Sequence, residues 1–129
     1  MVATTDIRRK WRPGDAYGYP VLTGVRIFGG TMIGVTAAMA AVPAGHVSAV
    51  ALVGFAEEAI DNRDGATGDQ MINAKKGVTL IPLAGAVPAD IGKTVYASAD
   101  DTFTLTAGAL LVAGTIDAID ADGVWLKTR

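Results

Sequence analysis

The chain has a single histidine and no cysteine, so few of its side chains could act as nucleophiles, bases or metal ligands. A Ser-His-Asp arrangement would need His46 together with Ser48 or Ser98 and a distant aspartate. Composition excludes a zinc site built from histidines or thiolates. Because His46 follows a Pro-Ala-Gly sequence, we interpret it as a turn or interface residue. We predict no catalytic residue and no metal site.

The sequence Gly92-Lys93-Thr94 is similar to the end of a phosphate-binding loop. Such a loop needs a glycine five residues before the glycine of its Gly-Lys pair, where this chain has Val87. The residues that follow read as a strand, whereas a bound phosphate needs a helix N-terminus. We therefore predict no cofactor site, and the chain is not expected to be an enzyme.

Two acidic segments, residues 61–65 and 117–123, have the composition of calcium loops. Calcium loops require oxygen ligands at alternate positions and a closing glutamate. Here Arg63, Ile119 and Ala121 occupy ligand positions, and no glutamate closes either segment. We interpret both groups as solvated turn carboxylates.

Charge is distributed unevenly along the chain. Residues 1–20 carry four Lys/Arg and two Asp, whereas residues 21–129 carry seven Lys/Arg and eleven Asp/Glu. The first segment lacks helical periodicity and contains Trp11, Tyr17 and Tyr19. Disordered tails are typically poor in aromatic residues. We therefore predict an extended basic arm, residues 1–20, that packs on a partner or a neighbouring subunit, followed by a β domain, residues 21–129.

Short runs rich in Val, Ile, Thr, Tyr and Phe alternate with turn residues in this β domain. They predict strands at residues 25–28, 31–36, 47–56, 78–83, 95–97, 103–106 and 110–119. Gly29-Gly30 favours a hairpin between the first two, and the continuous apolar run at 47–56 predicts a buried strand. Residues 37–45 indicate a helical turn or a loop, residues 57–73 an exposed excursion, and residues 88–92 one helical turn. We expect an all-β barrel or sandwich of about seven to nine strands, with at most one or two short helical turns.

Residues 27–56 contain no charged side chain, which raises the question of a membrane span. Glycines, Pro43 and His46 interrupt this segment, and its longest apolar piece, residues 47–56, is half of the roughly 20 residues that a spanning helix needs. The N-terminal cations are followed by Trp-Arg-Pro-Gly-Asp rather than by the apolar region of a signal peptide. We predict neither a membrane segment nor a signal peptide.

Three segments carry a resemblance to a known family: residues 52–85, 92–106 and 114–127. They contain a Val-Gly-Phe-Ala strand, a polar stretch, a Lys-Gly-Val strand, a Val-Tyr-Ala-Ser strand with a Thr-rich partner, and a closing aliphatic hairpin. This order resembles that of the small capsid decoration, or cement, proteins of tailed bacteriophages. The basic arm is the main departure from the compact pattern of that family.

The resemblance implies a structural protein of the virion, made in the host cytoplasm and bound to the outer surface of the mature head. It implies a homotrimer that ties major capsid protein subunits together. Arm residues are the expected capsid contacts, since aromatic and Arg residues dominate interface energetics. The candidate contacts are Arg8, Arg9, Trp11, Arg12, Tyr17 and Tyr19.

Other functions remain open at this point. One is a different virion β module, such as a head-fibre base or a tail-tube-like subunit. Another is a non-viral β-barrel that binds a small ligand or serves an enzyme as an accessory domain, which would need a deep pocket with convergent polar groups. Lys75 and Lys76 could join the arm in binding nucleic acid, but the net charge of −2 and the lack of a recognition motif argue against this partner.

Overall fold

The computed structural model describes residues 2–10 and 12–129. Within them the chain forms twelve strands: β1 Ala16–Pro20, β2 Val25–Ile27, β3 Met32–Val35, β4 Ala41–Pro43, β5 Ala51–Ala56, β6 Ile60–Asn62, β7 Met71–Lys75, β8 Val78–Ile81, β9 Thr94–Ala99, β10 Thr102–Thr104, β11 Leu111–Asp120 and β12 Gly123–Thr128. A 3-10 turn, Pro88–Asp90, precedes β9. The predicted all-β fold with at most one or two helical turns is confirmed. The described residues form twelve strands, more than the seven to nine that were expected.

These strands form two five-stranded sheets and a two-stranded ribbon, all with antiparallel pairing. Sheet 1 has the order β1-β7-β5-β3-β4, sheet 2 has the order β10-β9-β11-β12-β8, and β2 pairs with β6. The chain after β1 covers the β4 edge of sheet 1, where Val21 forms a parallel bridge to Ala41. There the Leu22 N–H donates a hydrogen bond to the Ala41 carbonyl oxygen.

Two hydrophobic clusters stabilise these sheets. One lies mainly on the inner face of sheet 2, where alternate residues such as Val124 and Leu126 of β12 are buried, and it includes Met32 from sheet 1. The other joins sheet 1 to the β2-β6 ribbon and includes Ile27 and Ile72. Burial of every second residue in β7 and β12 reflects the two-residue periodicity of strands.

The first predicted hairpin is wrong. Strand β2 pairs with β6 rather than with β3, and Gly29-Gly30 instead carries the chain from the ribbon into sheet 1. The Gly30 N–H donates to the Ala56 carbonyl oxygen, and the Ala56 N–H donates to the Thr31 carbonyl oxygen. A partner more than thirty residues away thus replaces the local one, because the ribbon closes over the apolar cluster below it.

Two further local predictions need correction. Residues 37–45 contain strand β4, because a tight turn with Met39 at φ 66° folds the chain back onto β3. The run 47–56 is not a buried strand throughout: Val47 is 96% exposed, and strand β5 begins only at Ala51. The first residues of this run lie at the surface, so their apolar side chains do not indicate that they are buried.

The remaining elements agree better with the predictions. Strand β8 is an edge strand of sheet 2, as the proline after it suggested, and the helical turn at Pro88–Asp90 is present. The last strands pair as a hairpin through Asp120 and Gly123, although β9 lies between β10 and β11. The segment 57–73 is not simply an exposed excursion, since it contains β6 and the start of β7.

Candidate interaction surface

The base of the predicted arm is attached to sheet 1. Residues 16–20, which were assigned to the arm, form β1 and pair with β7. Just before them, the Asp15 carbonyl oxygen accepts a hydrogen bond of 2.7 Å from the Lys76 N–H. Tyr17 lies between two cations: the Arg12 guanidinium carbon is 5.0 Å from its ring centroid and the Lys76 Nζ is 5.3 Å from it. Cation–π contacts of this kind hold the end of the arm against the β1-β7 edge.

The rest of the arm contacts little of the body. Residues 2–10 are all exposed and contain no strand. Neither Arg8 nor Arg9 forms an ion pair with any residue that the structure describes. Trp11, another candidate contact, lies outside the described residues. The arm therefore presents its cations to solvent.

Tyr19 is placed differently from the other candidates. It shares a strand face with Tyr17, two residues away, and both side chains are partly buried, but Tyr19 packs against the cluster that contains Val21 and Ile72. Of the five predicted contact residues that the structure describes, it brings together Arg12 and Tyr17, and it adds Lys76, which the predicted set did not include.

Three cations of the β body are engaged within the body itself. Arg63 forms an ion pair with Asp61 at 2.7 Å, and the side-chain hydrogen bond from Arg63 lowers the pKa of Asp61 to about 2. Lys93 pairs with Asp90 at 2.7 Å. The Lys93 hydrogen bond, with a second from the Val87 N–H, lowers the pKa of the Asp90 carboxyl.

The third engaged cation is Arg26, whose guanidinium carbon lies 4.6 Å from the centroid of the Phe28 ring. By contrast, no ion pair engages Lys75, Lys76, Lys127 or Arg129 among the described residues. Lys76 and Arg129 line the same surface depression. Lys76 and Arg129, which have no acidic partner among the described residues, thus lie close together near the base of the arm.

A groove runs along the outer edge of β8. Its first part, a cleft of about 160 Å³, is lined by Phe55, Lys75, Lys76, Gly77, Val78 and Thr79. Its second part, about 220 Å³, continues along Thr79, Leu80, Ile81 and Pro82, with Glu57 and Asp101 on its rim. Phe55 and Lys75 line both parts. Edge position was the only sequence signal for this groove.

The residues considered for catalysis do not form a catalytic arrangement. His46 and Ser98 line one shallow cleft, but no carboxylate is among its lining residues. His46 Nδ1 accepts a hydrogen bond from the Ser48 N–H at 3.1 Å, so the imidazole stabilises its own turn. Lys93 of the Gly-Lys-Thr sequence is held by Asp90.

Polar side chains of the two acidic segments form hydrogen bonds that stabilise the local structure. The Asn62 side chain is buried, and its Nδ2 donates to the carbonyl oxygens of Val21 and Ala66, both at 3.0 Å. Asp120 accepts hydrogen bonds from the Asp122 N–H and from the Trp125 Nε1 at 2.9 Å each. Among the described residues, no group of three or more acidic or histidine side chains is placed to hold a metal ion.

No protein-family model, curated protein or solved structure matches the chain. Within residues 2–10 and 12–129, no helix has the length and apolar character needed to cross a membrane.

Proposed function

We propose that the chain is a structural capsid decoration protein that binds the outside of an assembled phage head and bridges neighbouring subunits of the major capsid protein.

 The head would be stabilised because the protein binds only the assembled state. Its partners are the major capsid protein and further copies of itself in a homotrimer. Its site of action is the outer surface of the virion.

The observation that carries this proposal is the contrast between the exposed arm and a body without a reactive site. Residues 2–10 are exposed throughout and carry Arg8 and Arg9, while the residues of the body that were considered for catalysis do not form a catalytic arrangement. A chain built in this way is suited to holding surfaces together. Surface burial of roughly 800 Å² per partner is ordinary for a specific protein interface.

Among the candidate contacts, Arg12 and Tyr17 are the best prepared for a partner. Their cation–π contact fixes the guanidinium before binding, so less side-chain entropy is lost when a capsid subunit covers it. Arg8 and Arg9 extend the basic surface outward, and Tyr19 supports it from the body. Trp11 remains a predicted contact.

The test is cosedimentation of the full-length protein with mature, undecorated heads of the phage that encodes it. Saturable pelleting is expected, and Arg12→Ala should weaken it about tenfold, as loss of an interface arginine typically does. Arg26→Ala is the matched control, because Arg26 stacks on Phe28 in the body, and it should pellet as the wild type does. Absence of pelleting would overturn the proposal.

Electron microscopy of the isolated protein separates the alternative virion modules from this one. A head-fibre base or tail-tube-like subunit would form elongated assemblies or rings larger than a trimer without heads, whereas a decoration protein remains a trimer until heads are added.

A further inference from the structure

We propose that residues 2–10 of one copy dock as an added strand in the β8 groove of a second copy, parallel to β8. This inference assigns the partner of the outer arm. It concerns contact between copies and can be tested without capsids, so it does not depend on the decoration role. It assigns Arg8 and Arg9 to contact between copies and leaves Arg12 and Tyr17 available for the capsid.

Strand β8 is the open edge best suited to accept a strand. It pairs with β12 on one side and makes no backbone hydrogen bond on the other to any described residue. The β4 edge is covered by Val21, β10 has three residues and an irregular register, and β1 ends in Pro20. An uncovered edge presents unpaired N–H and C=O groups that an extended segment can satisfy.

The groove beside this edge also offers apolar contact. Val78 is 49% exposed and Leu80 is 45% exposed, and Phe55 forms part of both clefts. Folded proteins commonly protect an edge strand with charges or a cover. Strand β8 contains no charged residue, so a cover from another chain is consistent with its composition.

The outer arm has the composition of a strand but no strand partner in its own chain. Four of residues 2–7 are β-branched, namely Val2, Thr4, Thr5 and Ile7, and β-branched residues favour strands. Yet residues 2–10 are exposed and unpaired within the described chain. A segment with this composition gains both backbone and side-chain partners by joining an open edge.

Charge selects the direction of the added strand. Lys76 lines the groove only beside the start of β8, Lys75 lines both parts, and Glu57 and Asp101 line only the part beside the end of β8. The acidic side chains thus lie towards the end of the strand. The arm is apolar first and basic last, with Arg8, Arg9 and Lys10 at its end. Opposite charges therefore meet when the arm runs parallel to β8. Placing Arg9 beside Pro82 then places Ile7 beside Leu80.

The same charges favour a second copy over the arm's own groove. Arg12 is held beside Tyr17 and Lys76, so a chain that folded its own arm along β8 would enter at the Lys76 end. That path would place Arg8, Arg9 and Lys10 next to Lys75 and Lys76, and like charges repel. An arm from another copy can enter from the Glu57 end of the groove.

An arm-to-groove contact joins two different surfaces of the same protein. Such a heterologous contact closes into a ring when its rotation allows closure and otherwise extends into a filament. A three-membered ring would satisfy every arm and every groove, which agrees with the proposed homotrimer.

Disulfide trapping between two full-length variants tests this contact directly. The chain lacks cysteine, so Ile7→Cys and Leu80→Cys each introduce a single thiol, and one variant carries a mass tag. Mixing them under mild oxidation should give a heterodimer, since the proposed register brings the two positions to neighbouring strands. Ile7→Cys mixed with Val47→Cys is the control, because Val47 is more exposed than Leu80 and records random collision.

A charge exchange sharpens the same experiment. Glu57→Lys with Asp101→Lys on the groove copy should reduce trapping roughly fivefold to tenfold, and Arg8→Glu with Arg9→Glu on the arm copy should restore it.

Trapping with Leu80→Cys no greater than with Val47→Cys would overturn the inference. So would a disulfide within one chain of the Ile7→Cys/Leu80→Cys double variant. Pelleting with heads but no trapping would refute this inference alone, and trapping without pelleting would refute the decoration role alone.

Discussion

The arm and the β body of this protein use their polar groups in opposite ways. In the body, every buried side-chain nitrogen or oxygen that the structure describes has a hydrogen-bond partner, and Asp61 and Asp90 are paired with nearby cations. In residues 2–10 every side chain is exposed. The difference teaches that stability resides in the body, while the arm is left free to bind.

The largest effect on stability is expected from the core of sheet 2. Leu126 is fully buried, so Leu126→Ala should lower the free energy of unfolding by about 3 kcal/mol through lost burial and a residual cavity. Leu80→Ala is the matched control: Leu80 is exposed at the edge and should cost less than about 0.5 kcal/mol. Urea denaturation measures the free energy of unfolding of both variants. Equal decreases would contradict the conclusion that Leu126 stabilises the core and that Leu80, at the edge, does not.

A smaller loss is expected from the buried amide that organises the segment after β6. Asn62→Ala removes the Nδ2 hydrogen bonds to the carbonyl oxygens of Val21 and Ala66 and should cost about 2 kcal/mol. Asn73→Ala is the control, since Asn73 is exposed in β7. If thermal denaturation gave the same midpoint for the two variants, Asn62 would not hold this segment.

The Asp61-Arg63 pair should make stability depend on acid pH. The pKa of Asp61 is lowered from 3.8 to about 2 in the folded chain, so its contribution is present above pH 4 and is lost as the pH falls towards 2. Asp61→Asn should therefore flatten the decline in stability over that range. Asp64→Asn, in the same turn, is the control. An unchanged pH profile in Asp61→Asn would show that this exposed pair contributes nothing measurable.

The smallest effect on folding is expected in the arm. Arg8→Glu combined with Arg9→Glu should change the free energy of unfolding by less than about 0.5 kcal/mol, because both side chains are exposed and neither forms an ion pair with a described residue. The same variant should reduce self-association in sedimentation velocity. A large decrease in the free energy of unfolding would contradict the conclusion that the arm does not stabilise the body.

Local sequence signals predicted the C-terminal half of the fold better than the N-terminal half. Strands β11 and β12 are joined by a short turn and pair with each other, so alternation and an Asp-Gly sequence were sufficient. Strand β2 pairs with β6 from far along the chain, and no local pattern records that choice. The exposed start of the 47–56 run shows the same limit, since apolar residues at a surface look like core residues in sequence.

The candidate interaction surface was only partly predictable. The excess of cations and aromatics in residues 1–20 identified the arm, and Pro82 identified β8 as an edge. The groove itself forms where β5, β7 and β8 meet, so residues distant in sequence, such as Phe55 and Leu80, line it together. Lys76 was not predicted as part of this surface for the same reason: it contacts Tyr17, which is distant from it in sequence.

The central claim is that residues 2–10 of one copy bind beside strand β8 of another copy. Hydrogen–deuterium exchange of the wild-type protein at low and high concentration tests it most directly. The claim predicts that exchange slows together in residues 2–10 and in β8 as concentration rises, while β1 and β7 are protected equally at both concentrations. Exchange of residues 2–10 at the unprotected rate at every concentration, with no change in β8, would contradict it.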